Sequence, residues 1–336
     1  MFERMPEVPK GKYKVQQSHP KRFPWILGVG GCLILLLCVA LAGLGSWFFL
    51  AGPGNALVQK QNAPAATPIN TNVAARGKIA YSVELGSSPE GKSVWVMKAD
   101  GSDTKKILDR ASSPAFSPDG TRVAYYRWNE GIFVANADGT QPRKVVGESH
   151  AKYLAWSHDG AWIAFSSQPI QREGANVNID AVRADGSQRR TIIVGGSMPS
   201  WSPDDKELVF HTCRGDCGIY KVSAFGGEPA LLVGESGGNP AWSPDGNKIV
   251  YHADTDTVKQ IFTINADGTG RKQITTGTVL HVDPIWSPDG GLIYYRSPEG
   301  GSWGIWRMNP DGSNQVKIAE SGPPVDWAYE RLAVAR

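Results

Sequence analysis

Two residues near the end of the sequence have side chains that could bind a metal ion or transfer protons. His281 and Asp283 lie two positions apart, shortly before Trp286. An imidazole and a carboxylate are common zinc ligands and common general acid–base groups. Two ligands leave a metal site incomplete, so others would have to come from distant parts of the chain. The commoner role of such a histidine is that of a solvated loop residue, and both roles stay open here.

Two of the four cysteines could form a disulfide. Cys213 and Cys217 flank the tripeptide Arg214-Gly215-Asp216. Outside the cytoplasm a disulfide across this short loop is the expected state, and two free thiols are the alternative. Two sulfurs alone would not complete a zinc shell. The sequence therefore predicts a Cys213–Cys217 disulfide.

One stretch formally matches the nucleophile motif of serine hydrolases. Residues 300–304 read Gly-Gly-Ser-Trp-Gly, the pattern Gly-x-Ser-x-Gly. The motif works where a strand-to-helix turn lifts the serine above a parallel sheet. Here it lies between two β-rich runs with no helix signal after it. We expect a hairpin loop at this position.

The element that must position these residues is a short sequence motif, the first motif, that recurs along the chain. An aromatic residue is followed by Ser-Pro-Asp-Gly or a close variant. The aromatics are Phe116, Trp156, Trp201, Trp242 and Trp286, and Trp327 is a sixth, degraded anchor. They lie 40, 45, 41, 44 and 41 residues apart. A fixed period of about 40 residues in a β-rich sequence is typical of propeller blades.

Each residue of the first motif has a structural role. The aromatic ring ends a short apolar strand and can wedge between neighbouring blades. Ser-Pro-Asp-Gly makes a tight turn whose glycine takes a positive φ. In two copies His158 replaces the proline and Asp205 replaces the last glycine. Because Asp tolerates positive φ better than most residues, we expect both blades to form with slightly less stable turns.

A second motif indicates a hairpin within each repeat unit. Asp-Gly turns follow β-rich runs at Asp100, Asp138, Asp185, Asp267 and Asp311. Asp-Gly between two such runs is a strong hairpin signal. One unit departs, with Phe225-Gly226-Gly227 at the turn. Each unit therefore reads as four antiparallel strands.

The two motifs together resemble the WD40-like (PD40) repeat of TolB-type β-propellers, over residues 76–336. The resemblance implies an all-β fold, a six-bladed propeller of four-stranded antiparallel blades. We expect the first and last segments to share a composite blade that closes the ring. Residues 78–82 and 331–335 both look like its second strand, and the sequence leaves open which one is displaced. In such rings the strand that follows His281 and Asp283 starts beside the central channel.

The resemblance constrains function less than fold, because propellers host many unrelated activities. It favours a binding or scaffold module with a protein partner, and a peptide or an envelope glycan stays open. The sequence shows no convergent catalytic set, so we predict no enzymatic activity, no cofactor and no bound metal. The alternative is a hydrolase or lyase acting in the channel. The repeat region is near neutral overall, which disfavours nucleic acid.

The N-terminal part predicts a membrane tether. Residues 1–22 form a short basic tail, and the stretch from 25 to 51 carries no charge. Residues 23–51 are long enough to span a bilayer, and the basic flank places the N-terminus in the cytoplasm. Residues 52–75 form a flexible Pro/Ala/Asn linker, and the propeller at 76–336 would lie outside the cell. A cleaved signal peptide ending near residue 42 and a lipoprotein site at Cys32 are the alternatives.

Overall fold

The structure is a computed structural model that describes residues 77–84, 91–147, 150–168, 177–213, 215–256, 258–322 and 330–336. The predicted tail at 1–22, membrane helix at 23–51 and linker at 52–75 lie outside these ranges. No helix within them is long and apolar enough to cross a membrane. Their regular structure consists of strands, apart from short 3-10 turns such as Glu299–Gly301.

The predicted six-bladed propeller is confirmed, with four antiparallel strands in every blade. Blade 1 contains β1 (Lys78–Glu84), β2 (Lys92–Lys98) and β3 (Lys105–Asp109). Blade 2 consists of β4 (Ser112–Phe116), β5 (Arg122–Arg127), β6 (Gly131–Asn136) and β7 (Arg143–Gly147). Blade 3 consists of β8 (His150–Trp156), β9 (Trp162–Gln168), β10 (Asn178–Arg183) and β11 (Arg190–Val194).

The remaining strands follow the same order from the axis outward. Blade 4 consists of β12 (Ser197–Trp201), β13 (Glu207–Thr212), β14 (Gly218–Ser223) and β15 (Ala230–Val233). Blade 5 consists of β16 (Gly237–Trp242), β17 (Lys248–Asp254), β18 (Lys259–Asn265) and β19 (Lys272–Gln273). Blade 6 consists of β20 (Val282–Trp286), β21 (Ile293–Ser297), β22 (Gly304–Met308) and β23 (Val316–Glu320). The last strand, β24 (Ala333–Ala335), belongs to blade 1.

The composite blade closes the ring and answers the question that the sequence left open. β24 is the innermost strand of blade 1 and β1 is the second. Val334 pairs with Ile79 as Phe116 pairs with Val123 in blade 2. Val334 therefore stands in blade 1 at the register of the anchor aromatics. Trp327, the predicted sixth anchor, lies outside the described residues.

The hydrophobic core lies between the blades. Each of six clusters of buried side chains joins the facing sides of two neighbouring blades. Trp156, for example, belongs to one cluster with Tyr126 of blade 2 and Phe165 of its own blade. A buried aromatic ring of this size removes roughly 150–250 Å² from water. The period of the aromatics along the chain is therefore the period of the interfaces around the ring.

The recurrent turn is held by a serine–aspartate pair. Ser117 Oγ donates to Asp119 Oδ1 at 2.5 Å and accepts the N–H of Arg122 at 3.0 Å. Gly120 takes the expected positive φ, 66°, and Asp205 takes 58° at the equivalent position. The residues of this motif thus build the scaffold, because their polar atoms are used within the turn.

Candidate functional site

One position of each inner strand lies beside the axis of the ring. In the five complete blades, the residue three places before the aromatic takes a left-handed conformation at a bulge. These residues are Ser113 (φ 51°), Tyr153 (54°), Met198 (60°), Asn239 (48°) and Asp283 (56°). Because the bulge recurs in every complete blade it belongs to the architecture. The residue types at this position differ, so they are what distinguishes the interior of this ring.

Asp283 is the centre of a buried polar group, the axial cluster, formed by Asn239, His252, Asp283, Arg296, Glu330 and Arg331. The Asn239 side-chain amide donates to Asp283 Oδ1 at 2.6 Å. The backbone N–H of Asp283 donates to Nδ1 of His252 at 3.2 Å, which places the ring proton of the neutral imidazole on Nε2. Burial lowers the pKa of His252 to about 3, so this histidine is an uncharged acceptor.

Arg296 is the basic partner of Asp283 within blade 6. Its Nε atom lies 4.0 Å from Asp283 Oδ2, and its Nη2 atom donates to the carbonyl oxygen of Ser82 at 3.3 Å. Complete burial raises the pKa of Asp283 to about 8, and Arg296 acts in the opposite direction. Burial also lowers the pKa of Arg296. Asp283 and Arg296 are therefore an acidic and a basic side chain that face each other where bulk solvent does not reach.

The Arg331 side chain spans the central channel. The inner strands contact one another in the ring order β4, β8, β12, β16, β20 and β24, so β12 stands opposite β24. From the segment that leads into β24, Arg331 donates to the carbonyl oxygens of Pro199 at 2.6 Å and Pro240 at 2.8 Å. Burial lowers its pKa to about 10. The guanidinium thus ties three inner strands together at the axis.

Glu330 joins the cluster from the same segment. Its Oε2 atom accepts the N–H of Ser113 at 3.4 Å, and its carbonyl oxygen accepts the Asn239 amide at 3.5 Å. Burial raises the pKa of the Glu330 carboxyl. Two carboxyls and two guanidiniums therefore share the axis, where Asp283 opposes the effect of burial on the pKa values of both arginines.

The structure separates His281 from Asp283. His281 is buried, with Nδ1 3.0 Å from Gln260 Oε1 and Nε2 3.4 Å from Glu299 Oε2. Burial lowers the pKa of His281, opposed by Glu299. The expectation of a solvated loop histidine is therefore wrong. Among the described residues, no group of three His, Cys, Asp or Glu side chains could hold a metal ion.

Above the axial cluster the ring opens into a funnel on the face of the Ser-Pro-Asp-Gly turns. The cavity has a volume of about 480 Å³, and Arg331 is at its floor. Every inner strand contributes to its wall the residue just before its anchor position: Ala115, Ala155, Ser200, Ala241, Ile285 and Ala333. The five anchor aromatics border it as well. A concave, largely apolar site with one cationic group at its floor is suited to binding.

Sequence reasoning selected Asp283 and missed its partners. Asn239 carried a usable signal, because it stands three residues before Trp242 as Asp283 stands three before Trp286. Arg331 carried no such signal, because its place three residues before the anchor position became clear only once Val334 was located there. Arg296 and Glu330 lie in strands or segments whose neighbours only the closed ring defines.

The other sequence predictions fall outside the axis. The anchors Phe116, Trp156, Trp201, Trp242 and Trp286 are buried between blades. Cys213 and Cys217 form a disulfide in the loop between β13 and β14. The predicted hairpin loop at residues 300–304 is confirmed between β21 and β22, and Ser302 Oγ donates to Glu320 Oε2 at 2.9 Å.

Comparison with known proteins agrees with this architecture. Residues 70–237 and 231–325 match the PD40 family, described as the TolB beta propeller domain. TolB from Acinetobacter baumannii superposes with a TM-score of 0.66 at 19% identity, covering 77% of this chain and 67% of that one. A putative TolB from Agrobacterium tumefaciens gives 0.59 at 19% identity, covering 77% and 98%. At such identities the likeness shows the fold alone.

Two further proteins are similar to this chain. A chain of the nidogen–laminin complex superposes with a TM-score of 0.59 at 16% identity, covering 77% of this chain and 99% of that one. An uncharacterized peptidase of Bacillus subtilis, YuxL, is 29% identical over 119 residues. That match spans 31% of this chain and only 18% of the peptidase.

Proposed function

The chain belongs to the PD40 family of TolB β-propellers, and from this premise we propose that it is a non-catalytic binding module whose axial funnel receives a segment of a protein partner. The observation that carries the proposal is the funnel itself, a cavity of about 480 Å³ walled by all six inner strands and floored by Arg331. Apolar side chains of the partner would pack against Ala155, Ile285 and the indole edges. A carboxylate or carbonyl oxygen of the partner would approach the Arg331 guanidinium at the floor of the funnel.

We further propose that residues 23–51 tether the propeller to the cell membrane, with the N-terminus in the cytoplasm and the repeats outside. The uncharged stretch from 25 to 51 and the basic residues before it support this orientation. A disulfide between Cys213 and Cys217 suits an oxidising compartment. Carbonate extraction of membranes and protease protection of the repeats in spheroplasts test the tether, and a propeller protected in intact spheroplasts contradicts the orientation.

Site-specific photo-crosslinking tests the funnel. A photoreactive residue at Ala155, on the funnel wall, is compared with one at Val316, exposed on the outer strand of blade 6. We expect a discrete cross-linked protein from position 155 alone, and its loss when Ser200→Asp places a carboxylate on the neighbouring inner strand of the funnel wall. Identical background from both positions would overturn the proposal. Ser200→Thr is the matched control for folding of the wall.

A hydrolytic function is the second candidate, because the relative named a peptidase matches part of the chain. The acid–base groups of the axial cluster are buried, and Asp283 and Arg331 are hydrogen-bonded to residues of other blades. Turnover of a fluorogenic peptide library by the full chain, abolished by Asp283→Asn at unchanged stability, would favour this candidate over a binding module.

A further inference from the structure

An electrostatic relation between neighbouring blades repeats at the outer rim. The first residue of the outer strand is basic in several blades and lies beside the Asp-Gly turn of the following blade. Arg143 of blade 2 donates to the carbonyl oxygens of Asp185 at 2.6 Å and Ala184 at 2.8 Å. Hydrogen bonds from Ser187 lower the pKa of Asp185, and Arg143 adds to the effect. The basic residue thus has an acidic neighbour in the next blade.

The same relation holds at two further interfaces. Thr140 hydrogen bonds lower the pKa of Asp138 in blade 2, and Lys105 of blade 1 adds to the effect. Ser313 hydrogen bonds lower the pKa of Asp311 in blade 6, and Lys272 of blade 5 contributes. The registers of the outer strands make these basic positions equivalent to Arg190 of blade 3.

At the interface between blades 3 and 4 the acidic partner is missing. Phe225 stands in the turn where the other blades have aspartate, and 81% of its surface is exposed. The Arg190 guanidinium lies 5.2 Å from the Phe225 ring and 4.5 Å from the Trp162 ring. Arg183 covers the same indole at 5.1 Å. Within the described residues Arg190 forms no ion pair, and its buried Nε atom has no hydrogen-bond partner.

The fold does not require this departure. Five other turns carry aspartate in the same place, and the aspartate caps its own turn, as Asp185 Oδ1 does by accepting the N–H of Ser187 at 2.9 Å. Phe225 gives up that cap and exposes an aromatic ring to water, which is costly without a partner. An exposed aromatic residue beside an unpaired guanidinium is typical of an interface.

We propose that this rim, formed by Trp162, Arg183, Arg190 and Phe225, binds an acidic, extended peptide segment of a partner protein. A carboxylate of the segment pairs with Arg190, and an apolar side chain packs on Phe225. The turn leads into β15, the outermost strand of blade 4, whose free edge can pair with an extended backbone. Leu231 on that strand is half exposed and extends the apolar contact. This surface is separate from the funnel.

Fluorescence anisotropy with the full chain tests the proposal. The probe is a labelled peptide of alternating glutamate and leucine, compared with peptides in which glutamine or lysine replaces glutamate. We expect saturable binding of the glutamate peptide alone, weakened by salt. Phe225→Asp restores the residue of the other turns and pairs Arg190 internally, and Arg190→Gln removes the charge. Each should weaken binding about tenfold or more.

Arg143→Gln is the matched control, since it changes the equivalent residue one interface away, and it should leave the affinity within about twofold. Ser200→Asp in the funnel should also leave it unchanged, which separates this surface from the funnel. Wild-type affinity in both Phe225→Asp and Arg190→Gln would overturn the proposal, and so would equal binding of the glutamine peptide. Urea midpoints of the variants confirm that each is folded.

Discussion

Two departures from the repeat contact each other across the interface between blades 3 and 4. The Asp205 carboxylate accepts the N–H groups of His158 at 2.8 Å and Asp159 at 2.7 Å, and lies 3.1 Å from His158 Nδ1. In regular copies a proline ring occupies this place and faces a glycine: a Cβ built on Gly246 would lie 3.7 Å from Pro203. His158 and Asp205 are therefore a matched replacement for the usual proline and glycine.

The structure sets the expected size of the coupling. Asp205→Gly removes two hydrogen bonds to a carboxylate that is 17% exposed, each worth about 1.5–3 kcal/mol. Glycine returns about 1 kcal/mol by relieving the φ of 58°. We expect a net loss of at least about 2 kcal/mol. His158→Pro removes one donor but stiffens the unfolded chain, for a loss of about 1 kcal/mol.

The double variant His158→Pro with Asp205→Gly recreates the contact of the regular blades. We expect it to lie within about 1 kcal/mol of the wild type, which corresponds to a coupling free energy of about 2 kcal/mol. Equilibrium urea unfolding of the full chain, followed by tryptophan fluorescence, measures all four proteins. In the control, His158→Pro is combined with Asp289→Asn in blade 6, and there the losses should add. Additive losses in the test pair would refute the reasoning.

Three further predictions concern acid, the axis and the disulfide. Hydrogen bonds from Ser117 and Thr121 lower the pKa of Asp119 to about 2, and those from Ser202 and Lys206 lower the pKa of Asp204 to about 2. Because these values lie below the ordinary 3.8, the stabilisation is complete above about pH 4 and is lost as the pH falls toward 2. Asp119→Asn should flatten the decline of the urea midpoint over that range, and an unchanged decline would contradict the assignment. Arg331→Met leaves the carbonyl oxygens of Pro199 and Pro240 buried and unpaired, so we expect a loss of about 3 kcal/mol or more of unfolding free energy. The exposed Arg336→Met is its control, and equal stabilities would exclude the bridging role of Arg331. Replacing both Cys213 and Cys217 by serine should cost about 2 kcal/mol, because a disulfide across so short a loop restricts the unfolded chain only modestly. Alkylation of the unreduced, denatured protein followed by mass spectrometry should find both sulfurs blocked, and labelling of either one would contradict the disulfide.

The blades themselves could be read from the sequence because their signals are local. The turn at Ser117-Pro118-Asp119-Gly120 is closed by side chains two to five residues apart. Alternating strands and Asp-Gly hairpins likewise depend on near neighbours. Repetition of these local signals at a constant period was sufficient to predict six four-stranded blades. It was also sufficient to assign the anchors from Phe116 to Trp286.

The contents of the axis depended on closure of the ring. Arg331 and Pro199 are 132 positions apart, and Glu330 and Ser113 are 217 apart. No local pattern encodes such contacts, because they exist only once the inner strands stand side by side. The same closure placed Val334 at the anchor register of blade 1, since backbone pairing with β1 sets that register. Sequence alone therefore determined the repeating unit, and tertiary structure decided which polar groups the six units bring together, because a polar group buried at the axis needs a hydrogen-bond partner and Asn239, Glu330 and Arg331 find theirs in other blades.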